Sequence, residues 1–83
     1  MKYAIVIEKV PNGNYSAYAP DVSGCISTGG TIEEVTRLMR EGLEFHFEGM
    51  REDGDIIPDP STTVAYVEVP VPAPVTRDAP VLG

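Results

Sequence analysis

Eighty-three residues with 13 acidic and 6 basic side chains give one small domain of net charge −7 with a single cysteine. A domain this short buries only about 60% of its unfolded surface, so its own core is marginal and self-association is expected. The charge disfavours a counterion-release grip on nucleic-acid phosphates and favours a basic protein partner. One cysteine excludes an internal disulfide, and no basic start followed by an apolar run marks an exported or anchored chain, so the expectation is a soluble, cytoplasmic protein.

Lys2–Val10 is rich in β-branched and aromatic residues and predicts a first strand, with Tyr3, Ile5 and Ile7 alternating with Ala4, Val6 and Glu8. Asn12-Gly13 is a hairpin signal, and Tyr15–Ala19 is the returning strand. Pro20–Gly24 reads as a turn-rich connection and Cys25–Thr28 as a short third strand. A Gly29-Gly30 turn then leads into Thr31-Ile32-Glu33-Glu34, a capping box in which Thr31 accepts from the Glu34 amide and Glu34 reaches back to the amide of Thr31.

From Ile32 the residues Val35, Met39, Leu43 and Met50 form one apolar stripe, with Gly42 and His46 inside it. Glu33, Arg37, Arg40, Glu41, Glu44, Glu48 and Arg51 occupy the opposite face. The helix is expected to end near Glu52, because Asp53-Gly54-Asp55 is a glycine stop and Pro58 and Pro60 prevent its continuation. Thr62–Val69 predicts a fourth strand, and the proline-rich segment 70–83 predicts an extended tail or arm.

This order predicts an α+β two-layer sandwich: a mostly antiparallel four-stranded sheet of order 3-2-1-4 with one long helix on one face. Glu8 and Glu68 mark the face away from the helix, placing Ile5, Ile7, Ala65 and Val67 on the helix side. Val6, Val64 and Tyr66 then need another cover, which makes them the expected interface of a homodimer or larger homo-oligomer.

The run Pro20–Val35, together with Glu44–Met50 and Ile57–Ser61, resembles the HicB-like antitoxin family over about residues 1 to 69. Ser23, Gly30 and Val35 depart from its usual pattern, while Gly24, Cys25, Gly29, Thr31, Glu34 and Pro58 keep its framework. The resemblance implies a partial ribonuclease-H-like unit that binds and neutralises a small basic mRNA-cleaving toxin of the HicA kind. Many members add a C-terminal DNA-binding module. Segment 70–83 does not resemble one, so no direct nucleic-acid binding is expected. The alternative is an orphan structural or regulatory protein-binding module of the same fold.

Catalytic readings are weaker. A two-metal nuclease needs convergent carboxylates, and only Glu8 stands near the end of the first strand. Cys25 and His46 read as core residues rather than as a thiol nucleophile and its base. Asp53, Asp55 and Asp59 resemble a calcium loop, but Pro58 replaces the glycine that such a loop requires. Neither an enzyme nor a cofactor is expected, and Gly42 and Gly49 read as points of close packing. Glu41, Glu44, Glu48, Glu52 and Asp53 are the expected toxin-binding residues.

Overall fold

Asn12-Gly13 closes the first hairpin, but through a three-residue connection. Gly13 donates to the Val10 carbonyl at 3.0 Å, Val10 donates to the Asn14 carbonyl at 2.8 Å, and only Gly13 takes a positive φ, of 93°. This is a type I turn followed by a left-handed bulge residue, a position that glycine occupies without strain.

The computed structural model describes residues 1–74 and contains β1 (Val6–Lys9), β2 (Tyr15–Ala19), β3 (Val22–Gly29) and α1 (Ile32–Glu52). The strands form an antiparallel sheet of order β1-β2-β3, with Val6 opposite Tyr18 and Tyr18 opposite Ile26. The ladder slips between Tyr18 and Ala19, so that Ala19 pairs with Val22 and Gly24 stands at φ +81 in the resulting bulge. The third strand therefore begins earlier than Cys25, and the expected Pro20–Gly24 connection shrinks to Pro20-Asp21.

The helix lies across β3 and β2. Val35, Met39 and Leu43 meet Ala17, Ala19, Val22 and Cys25 in the buried core, while Tyr3, Ile5, Ile7 and Phe47 pack at its margin. A Cβ on Gly42 would lie 3.6 Å from the Cys25 sulfur, so helix and strand approach closely there. Gly49 has open space beside it, and its expected packing role is not observed.

Both helix ends are closed by local chemistry. The Thr31 hydroxyl accepts from the Glu34 amide at 3.0 Å, and the Glu34 carboxylate accepts from Gly30 at 2.8 Å rather than from Thr31. At the exit, Asp55 donates to the Met50 carbonyl at 2.8 Å and Gly54 to that of Arg51 at 3.1 Å, the paired bonds of a Schellman motif. Thr31→Ala is expected to lower unfolding free energy by about 1 kcal/mol, measurable by urea titration; an unchanged midpoint would show that the cap adds nothing.

The predicted fourth strand is not part of this sheet. Thr62–Val69 is exposed and pairs with no strand among the described residues, so the sheet has three strands and not four, and Val64 and Tyr66 do not meet Val6. The cause is an anchor further back. Asp21, in the β2–β3 turn, accepts four hydrogen bonds from the amides and hydroxyls of Ser61 and Thr62, at 2.7 to 3.0 Å. It holds the start of the segment at that turn, away from the free side of β1. The radius of gyration is accordingly 19.1 Å, against about 12 Å for a compact chain of this length.

Candidate partner-binding surfaces

Helical periodicity places Glu41, Glu44, Glu48 and Glu52 on one stripe of α1, within roughly 80° of arc at ~100° per residue, and all four are exposed. Arg37 pairs with Glu41 at 3.1 Å, and Arg51 pairs with Glu48. Glu44 and Glu52 have no ion pair among the described residues. Asp53 follows Glu52 as the C-cap, about 100° round the axis from the stripe, its amide donating to the Gly49 carbonyl at 3.0 Å. The helix carries six glutamates against three arginines, so its solvent face is net negative.

At the margin of this acidic stripe stands Phe45, 84% exposed. Reading the apolar stripe from Ile32 to Met50 passes over it, because Phe45 lies on the charged side; only a search for apolar residues out of phase with the core would have found it. Phe45 and His46 line a recess of about 280 Å³ with Gly49, Met50, Asp53 and Asp55 at the helix exit.

A second surface is a largely apolar groove of about 620 Å³ between α1 and the segment leading into β1. Tyr3 and Ile5 form one wall, and Met39, Leu43 and Phe47 the other. The Tyr3 and Phe47 rings lie 5.0 Å apart, and the Tyr3 hydroxyl donates to the Pro58 carbonyl at 2.6 Å, closing one end. The third surface is the sheet face away from the helix, where Val6, Tyr18 and Ile26 stand in one cross-strand row and Ile26 is 74% exposed.

Burial raises the pKa of the Cys25 thiol, the reverse of what a thiolate nucleophile requires. His46 is half-buried beside Phe47, with ring centroids 6.3 Å apart, and Cys25 faces Gly42 one helical turn earlier. Among the described residues no group of three His, Cys, Asp or Glu side chains is placed to hold a metal ion, and Asp53 and Asp55 are engaged through their amides in the helix cap. No helix among the described residues is long and apolar enough to cross a membrane.

Asp21 is the titratable group that composition and spacing did not single out. Hydrogen bonds from Thr62 first, then Ser61, lower its pKa from 3.8 to about 2. A lowered pKa means that the ionised form favours the clamp: its contribution is complete above 3.8 and is lost as pH falls towards 2. The Asp21 carboxyl carbon, followed by NMR, should therefore titrate near 2, with the Ser61 and Thr62 amides shifting in step. A midpoint at the ordinary 3.8 would show that the clamp is not populated.

The model of the HicB-like antitoxin family of bacterial toxin-antitoxin systems matches residues 3–73. The chain belongs to this family. An uncharacterized 14.9 kDa protein from the rep-hol intergenic region of Haemophilus phage HP1 is 41% identical over 70 residues, which cover 84% of this chain and 52% of the phage protein. Antitoxin HicB 1 of Photorhabdus laumondii is 33% identical over 72 residues, covering 86% of this chain and 46% of the relative. The HicB-like chain thus spans about half the length of these two relatives. The crystal structure of the N-terminal domain of Burkholderia pseudomallei antitoxin HicB superposes with a TM-score of 0.69 at 28% identity, over 76% of this chain and 74% of that one. A chain of the HicA3 and HicB3 toxin-antitoxin complex gives a TM-score of 0.62 at 30% identity, over 74% and 70%.

Proposed function

We propose that this HicB-like chain is a non-catalytic antitoxin that binds and neutralises a small, basic, HicA-like mRNA-cleaving toxin in the cytoplasm. The observation that carries the reading is the exposed acidic stripe Glu41, Glu44, Glu48 and Glu52, with Asp53 at the helix exit and Phe45 at the margin of the stripe. A ribonuclease that grips RNA presents a positive surface, and a negative stripe with an apolar anchor can compete for it: the charges set the encounter rate and the aromatic ring the lifetime. The solved HicA3 and HicB3 complex, which contains a chain of the same fold, supports the pairing.

The protein acts through contact with another protein, without cofactor and without gripping RNA or operator DNA itself, in keeping with its net charge of −7. It self-associates, with Val6, Val64 and Tyr66 in the interface; Tyr66 is 94% exposed in the single chain. The direct test is RNA cleavage by a basic HicA-like protein recovered with this chain from its native cell, with and without an excess of this chain. Cleavage should stop at equimolar antitoxin. Continued cleavage in excess antitoxin, or tight binding of the chain alone to its own promoter at physiological salt, would overturn the reading.

A further inference from the structure

Two features of the sequence are left unfulfilled in the single chain, and one missing neighbour accounts for both. Lys2–Val10 has strand character throughout, yet the ladder covers only Val6–Lys9, although Tyr3 and Ile5 pack against the core. Thr62–Val69 has strand character as well, yet is exposed along its whole length. β1 is one of the two edges of the sheet, the one beside the apolar groove, and has β2 on one side only, so a row of backbone donors and acceptors stands open along it. Beside that edge runs the apolar groove of about 620 Å³ walled by Tyr3, Ile5, Met39, Leu43 and Phe47.

We propose that Thr62–Val69 of one copy forms the fourth strand of a second copy, adding to the free edge of β1 in a reciprocal exchange of arms. This rests on the self-association proposed above and specifies its mode. The chain's own arm is poorly placed for its own edge: the Asp21 clamp roots Thr62 at the β2–β3 turn, while the open edge lies on the far side of β1. From that root the arm runs outward, giving the molecule a longest dimension of 67 Å against 27 and 18 Å across.

The apolar faces of arm and groove match whichever way the strand runs. Ala65, Val67 and Val69 share one face of an extended strand and suit the apolar groove. Val64 and Tyr66 share the other, where they continue the outer row of Ile26, Tyr18 and Val6. The only charge in the arm is Glu68, and an arm running antiparallel to β1 carries it towards Lys2 and away from Glu8, which shares its outer face. Each copy supplies one arm and one groove, so a two-fold dimer satisfies both and closes the exchange. The exchange also completes the strand-strand-strand-helix-strand order expected from the sequence.

The test uses the full chain. Light scattering at tens of micromolar should give twice the 8.9 kDa chain mass. An equimolar mixture of isotope-labelled and unlabelled chains should show filtered NOEs between Val64–Val69 of one chain and Tyr3, Ile5 and Leu43 of the other. Val67→Pro removes a ladder donor, and Ala65→Lys puts a charge into the groove; each should raise the dimer dissociation constant at least tenfold while helical circular dichroism is retained. A monomer for the unaltered chain would overturn self-association itself. A dimer whose arm contacts are all intramolecular or absent, or one that survives both substitutions, would overturn the exchange and leave self-association standing.

Discussion

Met39→Ala is expected to lower the unfolding free energy by about 2–5 kcal/mol, because Met39 is completely buried and truncation loses both the transfer energy of the side chain and the contacts around the cavity left behind. In a domain of this size that corresponds to a fall in Tm of about 10 °C or more. Met39 touches the sheet residues that the helix must cover and also forms part of the groove wall, so the loss is not confined to one side. Met50→Ala should have a much smaller effect, since Met50 is only half-buried near the helix exit. Thermal and urea unfolding at fixed protein concentration measures both, concentration being held because the proposed self-association would couple to stability. A loss for Met39→Ala no larger than that for Met50→Ala would mean that the helix does not seat on the sheet through this stripe.

Glu44→Lys combined with Glu48→Lys should slow association with the proposed HicA-like toxin about tenfold or more at low salt and flatten its salt dependence, because steering by the summed field is lost. The two reversals shift the net charge of −7 by four units. Fold stability should change little: both side chains are exposed, and the Glu48–Arg51 pair that is lost belongs to a class worth about 0.2–1 kcal/mol. Phe45→Ala should act differently, raising the dissociation rate with little effect on association. Glu8→Lys, an equally exposed reversal on β1, is the control. Stopped-flow association across a salt series decides the matter: if Glu8→Lys slowed binding as much as a single reversal at Glu44, net charge and not this stripe would be the determinant.

The sequence by itself determined the helix and the first hairpin, because both are written in interactions that span only a few residues. Thr31, Glu34 and Gly54 set the helix ends through bonds to amides and carbonyls up to five positions away, and observed and expected limits coincide at Ile32 and Glu52. The buried positions Val35, Met39 and Leu43 followed from periodicity alone. The acidic stripe was legible for the same reason, since four glutamates at helical spacing need no tertiary information to share a face. Tertiary structure decided the rest. Whether Thr62–Val69 joins the sheet depends on contacts across 40 residues between Asp21 and the Ser61-Thr62 pair, and alternation of side chains describes a strand without naming its neighbour. The bulge that starts β3 at Val22, the open space beside Gly49 and the groove beneath Tyr3 were likewise set by how helix and sheet meet, a geometry that depends on every side chain in the contact at once.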